Sequence, residues 1–301
     1  MFRNCTVHAR SLRRRMLVMA LMVPLGALGL ASPALAKEPT GDFAVFKQCP
    51  RFTSGVTSCI YSQTKSGEVT LNKQNVPITN TITLQGGIVR HENGAETFVG
   101  ALNGETLSKS PQKVPGGLLG LVRCNEINNI IERIACELVF ENGVTGVNAT
   151  TELARPASEI GINTNNLINE EGVALSLPVK IHLENPFLGT ECYVGSSSSP
   201  IIWNLTTGTT SPPPPNKPIK GKVGNLEFKD GLNFVEITEN TLVDNAYSAP
   251  AATGCGGIFS FLIDPIINAK IGLPSAAGKN TTILNNTIRE ATAKAVIASE
   301  K

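Results

Sequence analysis

Apolar and polar side chains alternate along residues 174–184, ALSLPVKIHLE. The apolar residues that would share one face are Leu175, Leu177, Val179, Ile181 and Leu183. The polar residues that would share the other are Ser176, Lys180, His182 and Glu184. A period of two is typical of a β-strand with one buried face. Pro178 has no amide proton to donate, which predicts that this strand lies at a sheet edge or carries a bulge.

The same alternation recurs in residues 68–84, EVTLNKQNVPITNTITL, where NKQN at 72–75 predicts a hairpin turn. The apolar residues involved are Val69, Leu71, Val76, Ile78, Ile82 and Leu84. Glycine, proline and asparagine separate such segments along most of the chain, as in antiparallel sheet. We therefore predict a mainly β fold, sandwich- or barrel-like, with short helices and a C-terminal helix, in a single domain over residues 37–301.

Three segments carry helix signals instead. Residues 126–134 have isoleucines at the i, i+3, i+4, i+7 spacing of a one-faced helix. These are Ile127, Ile130, Ile131 and Ile134. Asp264 as an N-cap, Pro265 at the first helical position and Gly272 just past the end predict a two-turn helix between them. Helical spacing from residue 281 onward predicts the C-terminal helix. Its apolar residues are Ile283, Leu284, Ile288, Ala291 and Ala295.

The first 36 residues have the pattern of an export signal. Several arginines precede an apolar run from Met16 to Ala31, and Ala34-Leu35-Ala36 is the small-x-small pattern that a signal peptidase accepts. We expect cleavage after Ala36 and a secreted protein, extracellular or associated with the cell wall. Because the apolar run is shorter than a spanning helix needs, we expect no integral membrane segment in the mature chain.

Removal of the first 36 residues changes the sign of the net charge. The full chain carries +2, whereas residues 37–301 hold 21 basic and 24 acidic side chains. A nucleic-acid partner requires a basic surface interleaved with aromatic residues, and the sequence has no such stretch. The partners we expect are a lipid or a cell-envelope glycan. The oligomeric state stays open.

Six cysteines follow residue 36, which in an oxidising compartment predicts three disulfides. They are Cys49, Cys59, Cys124, Cys136, Cys192 and Cys255. Their spacing favours pairing in sequential order, each bridge contributing roughly 3 kcal/mol. A straight helix over 126–134 would hold the second pair too far apart to bond, so we expect the chain to fold back there. The absence of any C-x-x-C pair argues against a zinc site.

Four consecutive prolines lie within residues 206–222, TTGTTSPPPPNKPIKGK. Such a run favours a polyproline II rod. It would serve as an interdomain linker, as a docking segment for a proline-binding partner, or as a stiff strap over the surface. A disulfide between Cys192 and Cys255 would tie both sides of this segment together, which favours the strap.

Residues 255–274, CGGIFSFLIDPIINAKIGLP, form an apolar stretch too short to span a membrane. It would either close one end of the sheet as part of the core or form a lip that faces lipid. A second apolar, glycine-rich loop, VPGGLLGLV, covers residues 114–122. The candidate ligand-binding residues of the two loops are Leu118, Leu119, Ile258, Phe259, Phe261 and Leu262.

Motifs of the common catalytic sites do not occur in this sequence. A G-x-S-x-G elbow is missing, and GSSSSP at 195–200 has its serines at the wrong spacing. After residue 36 the only histidines are His91 and His182, which we interpret as surface residues rather than catalytic bases. Calcium loops and phosphate-binding loops are also missing. We assign no catalytic residue, cofactor or metal ligand.

Several segments together resemble a family of uncharacterised secreted proteins of actinobacteria. They include GDFAVFKQCP, VPITNTITLQGG, LPVKIHLENPFLGTECYVGSSSSPI and IGLPSAAGKNT. The resemblance implies an exported bacterial protein with disulfides, and it supplies no reaction. We therefore expect a non-catalytic protein that is structural or binds an apolar or glycan ligand. The alternative is a secreted lipid-ester hydrolase that uses a serine with His91 or His182.

Overall fold

The alternating segments form antiparallel strands. The computed structural model describes residues 37–117, 129–136 and 146–301. The predicted export signal, the loop residues Leu118 and Leu119, and the expected bridge between Cys124 and Cys136 lie outside the described residues. In chain order the strands are β1 (Ser58–Leu71), β2 (Gln74–Pro77), β3 (Ile82–Arg90), β4 (Glu96–Gly100), β5 (Gln112–Val114), β6 (Val147–Leu153), β7 (Gly161–Ile162), β8 (Leu175–Glu184), β9 (Tyr193–Val194), β10 (Ile201–Leu205), β11 (Asn225–Phe228), β12 (Phe234–Asp244), β13 (Ala252–Thr253) and β14 (Asn280–Thr292).

Short helices connect these strands. The α-helices are α1 (Ile130–Cys136), α2 (Thr164–Asn169), α3 (Ser260–Ile271) and α4 (Ala293–Ala298). Single turns of 3-10 helix cover Gly41–Phe46, Ala157–Glu159 and Gly257–Phe259. Helix α1 overlaps the segment predicted from isoleucine spacing, although Ile130, Ile131 and Ile134 are exposed. Of the residues that the structure describes, no helix is both long enough and apolar enough to cross a bilayer.

The strands form two antiparallel sheets that pack against each other as a sandwich. The first sheet has the order β11-β12-β14-β1-β3-β4, with β2 also paired to β1. The second has the order β13-β9-β8-β6-β5, with β7 and β10 also paired to β8. A single hydrophobic cluster between the sheets contains residues such as Ile60, Val179 and Ile288. The prediction of a mainly β, sandwich-like fold is therefore confirmed.

Two strand predictions are confirmed at the level of single residues. All five apolar residues of β8 are buried. Strands β1 and β2 form the predicted hairpin, in which Asn72 adopts a positive φ of 48°. Asparagine tolerates this left-handed conformation better than most residues, so it suits a two-residue turn.

The position predicted for Pro178 was wrong, because β8 lies in the interior of its sheet. It pairs with β6 on one side and with β10 on the other. The carbonyl oxygen of Pro178 accepts a hydrogen bond from the amide of Ala154, at 2.9 Å, one residue beyond the end of β6. The backbone nitrogen of Pro178, which has no proton to donate, therefore lies where the pairing of β8 with β6 ends. The proline is accommodated in an interior strand without a bulge.

The helix predicted from residue 281 onward was wrong over most of its length. Residues 280–292 form β14, which pairs with β1 and β12 in the middle of the first sheet. Its inward residues are Asn280, Thr282, Leu284, Asn286 and Ile288, all buried. The spacing of Leu284 and Ile288 fits both periods, and long-range pairing decided between them. Only α4 remains of the predicted helix, and it ends the chain.

A second, smaller core covers the outer face of the first sheet. It consists of Phe46, Cys49, Cys59, Phe234, Ala291 and Val296. The disulfide between Cys49 and Cys59 joins the N-terminal segment to β1. The Phe234 ring contacts the Phe46 ring edge to face, with 5.7 Å between centroids. This cluster fixes the 3-10 turn at the N-terminus and α4 to the sheet.

The polyproline segment forms a strap along the edge of the first sheet, beside β12, and not a straight rod. The chain turns at Pro214 and Pro215. On either side, the amide of Thr210 donates to Ile219, and Thr206 pairs with Val243 of β12. The Asn216 side chain donates to the carbonyl oxygens of Asn245 and Asn280, both at 2.9 Å. These bonds attach the strap to the sandwich on both sides of the turn.

Candidate functional site

An apolar cleft opens between the two sheets at the end of the sandwich covered by α3; we call it the α3 cleft. Its water-accessible space is about 70 Å³, and the cleft opens to solvent at its mouth. Most of its walls are aliphatic and come from both sheets. The inward residues include Val69, Leu71, Val76, Val114, Val147, Ala149, Ile181 and Leu183. Apolar walls with a few polar groups are typical of small-molecule sites.

Helix α3 forms one wall of the cleft with one of its faces. Ile267 is buried, and Ile263 and Ile271 pack against the same core. The helix begins at Ser260, five residues earlier than predicted, and Pro265 lies inside it. The prediction of Asp264 as its N-cap was therefore wrong. The Asp264 carboxylate instead accepts hydrogen bonds from the Gly254 and Cys255 amides, at 3.1 and 2.7 Å.

Two other connections hold α3 against the sheets. The Asn268 side chain exchanges hydrogen bonds with the backbone of Ala252 in β13, at 2.7 and 2.9 Å. A disulfide joins Cys192 to Cys255, the pairing expected from the spacing. At the C-terminal end, Gly272 adopts a positive φ of 83° and its carbonyl accepts from the Asn72 side chain at 2.7 Å. The helix is thus attached at both ends beside an open cleft.

The opposite face of α3 and the turn before it are exposed and apolar. Ile258 is 85% exposed, Phe259 56%, Phe261 70% and Leu262 54%. Ile266 and Phe187 are exposed as well, and the loop that carries Phe187 contacts this turn, since the Gly256 amide donates to the carbonyl of Leu188. Of the two interpretations of this stretch, burial in the core therefore fails for Ile258, Phe259, Phe261 and Leu262, whereas Ile263 does pack against the core. The structure places this patch on the surface.

Few polar groups line the α3 cleft. Lys270 is the one charged side chain among the described residues of its wall, and burial lowers the pKa of Lys270. The Gln112 carboxamide exchanges hydrogen bonds with the backbone of Asn80, at 2.9 and 2.7 Å. Because these bonds hold the chain after β2, Gln112 serves the fold. Lys270 and Gln74 lie in the partly exposed part of the wall, where Gln74 donates to the carbonyl oxygens of Asn75 and Pro115, at 3.2 and 3.4 Å.

Two more cavities lie between the sheets. The middle cavity, with about 30 Å³ of water-accessible space, contacts Trp203, Leu177 and Asn286. The far cleft, with about 210 Å³, opens at the end of the sandwich opposite α3. Its polar part contains Arg90, which forms ion pairs with Glu96 at 2.8 Å and Glu290 at 2.6 Å. Burial raises the pKa of Glu290.

The two histidines lie away from the α3 cleft, and among the described residues no hydrogen bond joins either ring to a serine. His91 Nε2 is 2.8 Å from Thr97 Oγ1 on an exposed turn. His182 lies on the outer face of β8 and is more covered than predicted. Its ring stacks on Tyr193 at 4.4 Å, and Nδ1 is within 4 Å of the Glu152 and Glu184 carboxylates.

The α3 cleft brings together only part of what the sequence indicated. Phe259 and Phe261 lie beside it, on the outside of its cover, while Ile267 and Lys270 of the same helix face it. The wall residues of β5, β6 and β8 were predicted only as buried strand positions, because sequence alternation gives the face of a strand and not the space in front of it. Among the described residues, no cluster of His, Cys, Asp or Glu is arranged to hold a metal ion.

Comparison with known proteins gives no further assignment. No protein-family model, no curated protein and no solved structure matches this chain.

Proposed function

We propose that this protein is an exported, non-catalytic bacterial protein that binds an acyl-type ligand in the α3 cleft. The observation that carries the proposal is an open apolar cleft whose covering helix is apolar on both of its faces. The ligand's apolar part lies between the sheets, and a polar or anionic headgroup stays at the mouth beside Lys270. The two disulfides support export, because such bonds persist in oxidising compartments.

The exposed face of α3 supports a lipid as the source of the ligand. An apolar patch of this kind marks a surface that meets a partner or a membrane. A glycan ligand would need an open polar face with exposed aromatic rings, and the α3 cleft has aliphatic walls.

Filling the cleft is expected to abolish ligand binding. Ala149 lies on the inner face of β6 in the wall of the cleft, so Ala149→Phe would occupy the space that an acyl chain needs. We expect binding of a fluorescent fatty-acid analogue to weaken more than tenfold, measured by titration of the purified protein.

The matched control is Asn148→Phe, on the exposed face of the same strand. It should leave the titration unchanged within twofold. Circular dichroism and thermal unfolding would show that both variants fold, since overpacking in a core costs about 1–3 kcal/mol. Equal affinity of the Ala149→Phe variant and the unmodified protein would refute binding in the α3 cleft.

The apolar patch is expected to bind lipid vesicles. Transfer of a phenylalanine side chain out of water contributes about 1.5–3 kcal/mol, so Phe261→Ser should weaken binding to anionic phospholipid vesicles about tenfold. Flotation of protein with vesicles would measure it. The control is Phe52→Ser, because Phe52 is 68% exposed, almost the same as Phe261, but belongs to the N-terminal segment. Equal loss in both variants would contradict a membrane contact through α3.

A further inference from the structure

The far cleft has more room than the other two spaces between the sheets. Its water-accessible space is about 210 Å³, against about 70 Å³ in the α3 cleft and about 30 Å³ in the middle cavity. An apolar cavity of about 150 Å³ is large enough to bind benzene. The far cleft can therefore hold a molecule about the size of a single aromatic ring, and the ligand proposed for the α3 cleft does not use this space.

The walls of the far cleft are apolar except at one end. Both sheets contribute inward residues, such as Ile60 and Leu175. At the mouth, β11 and the turn that follows it contribute Phe228 and Leu232, which are 51% and 83% exposed. Among the described residues of the wall, the charged side chains are those of Arg90 and Glu290. A ligand that fits this cleft therefore needs an apolar body and one polar end.

Strand pairing places the polar end on the inner face of the first sheet. Strand β1 lies between β3 and β14, and each of the three strands ends here with a polar residue on its inward face. Each polar residue is two positions from a buried isoleucine of the main core, so it shares the inward face of that isoleucine. The polar residues are Arg90, Ser58 and Glu290, and the isoleucines are Ile88, Ile60 and Ile288 in the same order.

The charges at this end of the cleft do not balance. Arg90 forms ion pairs with two carboxylates, that of Glu96 at 2.8 Å and that of Glu290 at 2.6 Å. The Glu96 carboxylate also accepts hydrogen bonds from the amide and the hydroxyl of Thr164, both at 2.8 Å. One guanidinium thus meets two carboxylates, and the Glu290 carboxylate lines the cleft. A cationic group of a ligand would balance the excess negative charge, whereas an anionic group would be repelled.

Ser58 supplies a second oxygen at the same place. This residue is 2% exposed, and its hydroxyl lies near the Glu290 carboxyl but forms no hydrogen bond of normal geometry with any described residue. A buried hydroxyl without a partner is unfavourable, and a donor from a ligand would satisfy it. Burial raises the pKa of Glu290, and a bound cation would favour the ionised carboxylate.

We propose that the far cleft binds a small amphipathic amine, in which a primary ammonium group is attached to an apolar body about the size of one ring. The ammonium group donates to the Glu290 carboxylate and to the Ser58 hydroxyl. Arg90 donates to Glu290 Oε1 and so positions the carboxylate. The apolar body lies among the aliphatic residues between the sheets. This second site is separate from the α3 cleft and does not rest on the proposed function.

Three ligands that differ only in their polar end test the proposal. 2-Phenylethylamine, 2-phenylethanol and phenylacetate would each be titrated against the isotope-labelled protein, with binding followed by NMR. We expect the amine to bind about tenfold or more tightly than the alcohol, and phenylacetate to bind more weakly than the alcohol. The largest amide shifts should lie at residues 58–60 and 288–290. Equal affinity of the amine and the alcohol, or tightest binding of phenylacetate, would overturn the proposal.

Removal of the carboxylate charge provides the second test. Glu290→Gln keeps the size of the side chain, and we expect it to weaken binding of the amine about tenfold while changing binding of the alcohol by less than about threefold. The matched control is Glu227→Gln, because Glu227 is exposed on β11 and lies on the face opposite the wall residue Phe228. The control should leave both affinities unchanged within about twofold. Equal loss of amine binding in both variants would overturn the proposal.

The two proposed sites can be separated. The Ala149→Phe variant fills the α3 cleft and should bind the amine as the unmodified protein does. Loss of amine binding in that variant, or amide shifts centred on the wall of the α3 cleft, would show that the far cleft is not the site. If the Glu290→Gln variant fails to fold, the comparison of the three ligands on the unmodified protein decides alone.

Discussion

Replacing Cys192 and Cys255 together by serine is expected to lower the free energy of unfolding by about 4 kcal/mol. The bridge joins residues 63 apart in the sequence, and closing so long a loop restricts the unfolded chain strongly. Both cysteines are fully buried, one beside β9 and the other just before α3. The loss would therefore also free the start of the helix that covers the α3 cleft, and we expect ligand binding to weaken with it.

Urea denaturation of the double variant would measure this loss. The matched control is the pair Cys49→Ser and Cys59→Ser, whose bridge spans only 10 residues and should cost about 3 kcal/mol by the same relation. The control bridge belongs to the small outer core, so it should leave fatty-acid binding intact. A smaller loss for Cys192 and Cys255 than for Cys49 and Cys59 would show that loop length does not govern their contribution.

Period-two patterns were the reliable part of the sequence analysis. They predicted β8 and the β1–β2 hairpin correctly, because a strand buried on one face must alternate apolar and polar side chains. A shift of one residue in its pairing would turn the apolar side chains to solvent. Asn72 marked the turn for a local reason, its tolerance of positive φ. Where a single segment decides its own structure, the prediction held.

Long-range packing explains the predictions that failed. Residues 281–292 carry apolar spacing compatible with a helix, and only the partners β1 and β12 make them a strand. Asp264 looked like a helix cap, but the amides of Gly254 and Cys255, brought near by the Cys192 bridge, bind its carboxylate instead. A capping pattern read from neighbouring residues takes no account of hydrogen-bond donors that the fold brings near the carboxylate.

The candidate site was predicted only in part for the same reason. Sequence alone indicated that residues 258–262 were apolar and belonged to a segment too short to span a membrane. It could not show what packs against them. The structure leaves them exposed because α3 uses Ile267 and Ile271, on its other face, to contact the core. The walls of the α3 cleft come from strands distant in sequence, such as β1, β6 and β8, and no local pattern reveals which strands face each other across the core.

Phe234→Ala is expected to lower the free energy of unfolding by about 3–5 kcal/mol, as for other buried phenylalanines. Phe234 is 1% exposed, at the centre of the small outer core, and its ring contacts Phe43 and Phe46. Removing the ring would leave a cavity beneath the N-terminal 3-10 turn, so that segment and α4 should lose their protection from hydrogen exchange first.

The control for this change is Phe228→Ala on β11, the neighbouring strand of the same sheet. Phe228 is 51% exposed, so its truncation removes much less buried surface and should lower the free energy of unfolding by only about 1 kcal/mol. Urea denaturation of both variants without ligand would measure the difference. Because the outer core lies on the far side of the first sheet from the α3 cleft, Phe234→Ala should destabilise the protein while leaving its fatty-acid binding unchanged. Equal stability of the two variants would mean that the outer core does not hold the ends of the chain to the sandwich.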